Sequence, residues 1–214
     1  LQHIVNNPPA LQKELPSNSN LSLLLGLRDW PYLQYAPQMD PEEAEKLKNR
    51  FEGEVVSALE LLLNRHPDLT IIPFPMCTNH IGGDDRWFYR RLFRDNATVS
   101  AALDLTYLGP EIAPSTAVRL FQTASAALTM RYHSLIFALA AGTGAVSIDY
   151  TLSQGKVYSL ANKYDVLQLP LDQLDRESLF EMLSETLISR PSRPLFEFSD
   201  LKFMKAITAS ISSS

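Results

Sequence analysis

Arg131, His133, Asp149 and Tyr150 are the residues of this chain whose types and spacing suit chemistry, and all four fall within one stretch, Ala126 to Tyr150. A guanidinium brings fixed positive charge and a planar fork of donors, and an imidazole brings charge that switches near neutral pH. The first N–H groups of a helix lack intrahelical partners and carry partial positive charge. Arg131 and His133 beside such a terminus favour an anion, with phosphate and carboxylate the natural guests. The residues alone also allow a plainer reading, in which Arg131 caps a neighbouring carboxylate and His133 is a satisfied core histidine.

The elements that must position these groups can be read around them. Ala126 to Thr129 reads as a short apolar strand, with Arg131, Tyr132 and His133 where it ends. A small-residue helix is predicted from about Ser134 to Ala141, then a Gly142-Thr143-Gly144 turn and a second strand, Ala145 to Ile148. Apolar strand, helix and strand describe a βαβ unit buried on both faces. In open parallel sheets, ligands collect beyond the carboxyl ends of the strands, where Arg131, His133, Asp149 and Tyr150 fall.

Elsewhere, Leu21 to Leu27 reads as a strand ending at Arg28, followed by a Tyr- and Pro-rich loop from Asp29 to Met39. Asp40 offers an N-cap, Pro41 the first helical position and Glu43 a capping-box partner. The helix they open runs to about Arg65, with Ala44, Leu47, Phe51, Val55, Leu59 and Leu62 on one face. Further strands are predicted at Leu69 to Phe74, Thr98 to Leu103 and Val166 to Leu169. Helices are predicted at Asp85 to Arg94, Ser115 to Thr123, up to about Tyr164, Leu171 to Ile188 and Asp200 to Ile211. Arg86, Arg90, Arg91 and Arg94 read as a solvated helix face, as charge runs usually are.

Strands alternating with helices give about six βα units, hence an α/β fold with a doubly wound parallel sheet. Residues 1–19, with Pro8, Pro9 and Pro16, read as a linker or interdomain segment, and 20–214 as one α/β domain. The first strand–helix turn holds no GxGxxG, so nothing specific points to a dinucleotide. A net charge of -5 in 214 residues argues against general nucleic-acid binding. Cys77 is alone and the four histidines are scattered, so neither a disulfide nor a metal centre is expected. No apolar run approaches the ~20 residues of a membrane helix. A cytoplasmic location is the simplest expectation, and the start at Leu1 suits a piece of a longer protein.

The motif Arg131-Tyr132-His133-Ser134-Leu135, then Phe137-Ala138, Ala141-Gly142, Ile148-Asp149-Tyr150 and Lys156, resembles the polysaccharide pyruvyl transferases. Arg28, at the end of the first strand, is similar to the arginine that opens their second domain, and the Pro75 to Asp85 loop with His80 falls where a related loop occurs. The chain departs from the family at Gly144, often Pro there, and at Thr151, often Asp. The resemblance implies a Rossmann-like domain, the second of a two-domain glycosyltransferase-B architecture, whose N-terminal partner domain lies outside this sequence. It implies transfer of a pyruvyl group from phosphoenolpyruvate, as co-substrate and without a further cofactor, onto two hydroxyls of a sugar or glycan acceptor in cell-surface polysaccharide biosynthesis. It implies Arg131 and His133 as catalytic groups, with Arg28, His80, Asp149, Tyr150 and Lys156 binding substrate. Asp84 and Asp85 are weaker candidates for sugar contact or base. Two other classes stay open: a glycosyltransferase of that architecture using a sugar nucleotide, and a non-catalytic domain that binds an anion or a partner.

Overall fold

The structure is a computed structural model and describes residues 21–79, 83–109 and 112–189. Its first strand, Ser22–Gly26 (β1), sends Leu23 and Leu25 into one core and Leu24 into the other, the alternation a strand imposes on a continuous apolar run. A single helical turn, Tyr32–Tyr35 (α1), precedes the long helix Pro41–Arg65 (α2). The Asp40 carboxylate caps α2 by accepting from the backbone N–H groups of Glu42 and Glu43 at 2.8 and 3.3 Å. Ala44, Phe51, Val55, Leu59 and Leu62 are buried, as their spacing predicts, and Leu47 is partly so.

The chain continues through the strand Thr70–Pro73 (β2), the helices Asp85–Phe93 (α3) and Ala97–Ala101 (α4), and a 3-10 turn at Leu105–Tyr107. The helix Pro114–Thr123 (α5) leads to the strand Ala126–Thr129 (β3), the helix Tyr132–Ala141 (α6) and the strand Ala145–Asp149 (β4). Last come the helix Lys156–Lys163 (α7), the strand Leu167–Pro170 (β5), a 3-10 turn at Leu171–Gln173 and the helix Arg176–Ile188 (α8).

All five strands are parallel and lie in the order β2-β1-β3-β4-β5. On one face Leu23, Leu25, Leu128 and Val146 share a core with Phe51, Val55 and Leu59 of α2 and Leu179 and Leu183 of α8. On the other, Leu24, Ile72 and Ala127 meet Leu120 and Phe121 of α5 and Phe137 of α6. This is the doubly wound α/β fold expected. The chain leaves β1 toward β2 and later returns on the far side of β1 as β3. The boundary between β1 and β3 is therefore the topological switch point, where such sheets open a crevice.

Three expectations are corrected. Thr98 to Leu103 is not a strand: the Asn96 side chain accepts from the Val99 N–H at 2.9 Å and starts α4, so a local cap overrides the β-branched residues. Only Leu103 joins the sheet edge, in one bridge to Ile71. Residues 171–188 are not one helix, because the Asp175 side chain accepts from the Ser178 N–H at 2.9 Å and begins α8 there. α6 starts earlier than expected, since the Arg131 carbonyl already accepts from the Leu135 N–H. Tyr132 and His133 therefore belong to its first turn. The linker of residues 1–19, His80 and the helix Asp200 to Ile211 lie outside the described residues. Among the described residues no helix is long and apolar enough to cross a membrane.

Candidate anion-binding cleft

A cleft of about 810 Å³ opens at the switch point. Its walls carry Arg28 after β1, Arg131 after β3, Trp30 and Gln34 around α1, and Asp85, Trp87 and Arg90 on α3. Three features of the chain bring these walls together. Gly26 ends β1 where α6 begins, and a Cβ there would lie 2.3 Å from the Ser134 hydroxyl oxygen, so only glycine permits the approach. Tyr89 of α3 reaches under the end of β1: its hydroxyl accepts from the Leu27 N–H at 2.7 Å and donates to the Leu25 carbonyl at 2.6 Å. The buried indole of Trp30 donates to the Tyr150 carbonyl at 3.1 Å, tying the loop after β1 to the end of β4.

Arg131 does line the cleft, but it is latched. Its Nε donates to Asp85 Oδ2 at 3.1 Å, a second guanidinium nitrogen is bonded to Asp85 Oδ1, and that nitrogen also donates to the Gly83 carbonyl at 3.3 Å. Asp85 is 1% exposed and also accepts from the Met76 and Cys77 N–H groups at 3.0 and 2.9 Å. Burial pushes its carboxyl up, while the Arg131 charge and these donors pull the other way. One edge of the Arg131 guanidinium is thus spent on a neighbouring carboxylate, as the plainer reading of the sequence had it.

Arg28 is less committed. Its Nε donates to the Asp29 backbone carbonyl at 3.2 Å and its guanidinium lies 5.3 Å from the centre of the Tyr150 ring. The Asp29 carboxylate pairs with Lys48 and Arg91, at 3.0 and 3.2 Å. Tyr150 meets Tyr35 edge to face at 5.0 Å. Burial and Tyr150 push the Tyr35 phenol up, whereas the charges of Arg28 and Arg131 both pull it down.

His133 is half-buried on the first turn of α6, edge-on to Tyr132 at 5.7 Å, beside the cleft rather than on its wall. Burial lowers its pKa, and the charges of Lys156 and Arg131 lower it further. Lys156, exposed at the start of α7, therefore belongs to the same cationic neighbourhood. Asp149 does not. Its buried carboxylate accepts from the Thr151 N–H at 2.9 Å, the Thr151 hydroxyl at 2.6 Å and the Ser153 N–H at 2.7 Å, shaping the turn after β4. It neither orients Arg131 nor faces the cleft.

The α3 arginines are not merely a solvated face, because Arg90, Arg91 and Arg94 line the cleft. Arg91 pairs with Glu52 at 2.7 Å and with Asp29, Arg94 with Asp95, and Arg86 with Asp84 at 2.7 Å. Among the described residues Arg28 and Arg90 make no ion pair with a carboxylate. An arginine-rich cavity at a sheet switch point, walled by tryptophan, can hold an anionic group and an apolar or sugar surface beside it.

No known protein-family profile matches this chain, and no curated protein matches it. Among solved structures it is similar to a UDP-forming alpha,alpha-trehalose-phosphate synthase from Burkholderia xenovorans. Identity is 12% and the TM-score 0.49, over 83% of this chain and 39% of that one. It is similar also to a trehalose-6-phosphate synthase, OtsA, at 13% identity and TM-score 0.48, over 83% and 38% of the two chains. The chain spans about two-fifths of the length of either, and likeness of this degree carries nothing about chemistry.

Sequence reasoning missed Asp85 as the latch and Tyr89 as the strut. Each acts across more than forty residues, 46 for Asp85 to Arg131 and 62 for Tyr89 to Leu27, where no local pattern signals a partner.

Proposed function

We propose that this chain carries the donor-binding part of a sugar-modifying transferase, with a phosphorylated donor held between the ends of β1 and β3. The observation that carries the reading is Arg28 and Arg131 lining one cleft at the switch point, with His133 feeling the charges of both Arg131 and Lys156. The motif around Arg131 and His133 makes phosphoenolpyruvate the donor and a ketal-linked pyruvyl group the product. In that reaction the enol carbon takes a proton, the neighbouring carbon becomes oxocarbenium-like, two sugar hydroxyls add to it with loss of their protons, and inorganic phosphate leaves.

The roles follow from charge and freedom. Arg28 grips the phosphate, and the edge of Arg131 not held by Asp85 takes the carboxylate. Burial and two cations disfavour the His133 proton and hold the imidazole toward its neutral form. A donor bearing a carboxylate and a phosphate reverses that field and charges the imidazole, which makes it a general acid or a donor to the departing phosphate. Tyr150 backs Arg28, and Lys156 adds charge at the phosphate. A second domain supplies the opposite wall and further acceptor contacts, so donor binding without full turnover is expected of this chain alone.

A sugar nucleotide is the second reading. About 810 Å³ exceeds what phosphoenolpyruvate fills and falls within the range of larger ligand sites, ~300–1,000 Å³. Melting shifts measured in parallel with phosphoenolpyruvate and with UDP-glucose decide between the donors. Stabilisation by the first and a loss of about tenfold or more in its affinity in Arg28→Ala are expected, the scale of a charge-assisted hydrogen bond. Stabilisation by UDP-glucose alone transfers the proposal to the second donor, and no shift with either at millimolar concentration refutes it.

A further inference from the structure

The cleft has an element that neither donor reading uses. Trp87 lines it yet remains 66% exposed, whereas Trp30 is 2% exposed and spends its N–H on the Tyr150 carbonyl. One tryptophan is structural. The other keeps most of its apolar surface exposed on a cavity wall, where aromatic area is worth most in contact. Arg90, one turn along α3, lies over the Trp87 ring at 5.2 Å from its centre and makes no ion pair with a carboxylate among the described residues. Gln34 of α1, also exposed, brings an amide to the same cleft.

We infer that Trp87, Arg90 and Gln34 form a subsite for the acceptor sugar, a pyranose stacked by its C–H face on the indole with its hydroxyl rim reached by the guanidinium and the amide. The inference rests on the reading of this cleft as a transfer site and names what receives the group. The match is one of shape and polarity. A pyranose has an apolar face bounded by donors and acceptors, and here an apolar ring has a five-donor guanidinium against it and, on the same cleft, an amide that both donates and accepts. A purely apolar partner leaves Arg90 and Gln34 desolvated without partners, and a bare phosphate makes no use of Trp87.

The test uses the whole chain and the methyl pyranosides of glucose, galactose, mannose and glucuronic acid, followed by saturation-transfer NMR and tryptophan fluorescence. At least one glycoside is expected to receive saturation on the C–H protons of one ring face. Its affinity should fall about tenfold or more in Trp87→Ala and change by no more than about threefold in Trp87→Tyr, the scale of one aromatic contact. Absence of binding by all four glycosides, or unchanged binding in Trp87→Ala, overturns the subsite. Phosphoenolpyruvate and UDP-glucose titrated in parallel keep the two ideas apart. A bound glycoside without either donor sinks the donor assignment, and a bound donor without a glycoside sinks the subsite.

Discussion

Removing a single oxygen, by Tyr89→Phe, should loosen the end of β1 that carries Arg28. The Tyr89 side chain is 1% exposed, and its hydroxyl is the acceptor for the Leu27 N–H at 2.7 Å. The Leu25 carbonyl, which accepts from the same hydroxyl, keeps the Phe74 N–H at 2.9 Å, so the loss falls on one buried donor. An orphaned buried N–H costs about 1–3 kcal/mol, and phenylalanine refills nearly all the volume, so little cavity cost is added. For a chain of this size each kcal/mol moves the melting temperature by about 2–4 °C, so the midpoint cost of about 2 kcal/mol gives an expected fall of roughly 4–8 °C. The pH dependence gives an independent check. Burial holds the Tyr89 proton on well above the usual tyrosine range. A folded pKa above the unfolded one gives stability that is complete below about pH 10 and is lost as pH rises beyond it. The gap between wild type and Tyr89→Phe should therefore be flat from pH 7 to about 9 and close above about 10, in urea melts at each pH. A variant melting within about 1 °C of wild type at pH 7 would falsify the strut, since that is well below the loss worked out above.

Gly26→Ala should destabilise by about 1–3 kcal/mol through overpacking, because its Cβ would meet the buried Ser134 side chain at 2.3–2.4 Å. Ser134→Gly in the same chain should restore part of the loss in urea melts, and strict additivity of the two changes would count against the contact. Asp85→Ala should cost about 3–5 kcal/mol, since it leaves the Arg131 guanidinium and two backbone donors without their acceptor. A cost below about 1 kcal/mol would show that the latch contributes little, being in the range of an exposed pair. His133 has a lowered pKa, so protonation opposes the folded state and stability should decline as pH falls through about 6.5. Phosphoenolpyruvate should raise that pKa and bind with proton uptake near pH 6, seen as a buffer-dependent heat in calorimetry. Identical heats in buffers of different ionisation enthalpy would remove His133 from the anion's surroundings.

What could be read before folding, and what could not, divides by distance along the chain. The α2 helix was legible because Asp40, Pro41 and the three-and-four spacing from Ala44 to Leu62 are local instructions that the core then obeys. The βαβ unit from Ala126 to Asp149 was legible for the same reason, and with it the ends of β3 and β4. Thr98 to Leu103 misled because strand propensity describes a surface to pack against, and a single Asn96 cap outweighs it when that surface is absent. Asp149 misled in another way. A carboxylate at a strand end looks available, but the Thr151 and Ser153 donors two and four residues on had already claimed it. The meeting of Arg28, Arg131 and α3 in one cleft depended on strand order, which no window of sequence contains.

The Asp85–Arg131 pair carries a consequence for how a ligand is received. A long cationic side chain normally surrenders its rotational freedom when it closes on an anion, and that loss is charged against affinity. Here the carboxylate behind it has already fixed the guanidinium during folding. An incoming oxyanion meets a donor that no longer has to be stilled, so association at this point should be marked by heat released rather than by disorder lost.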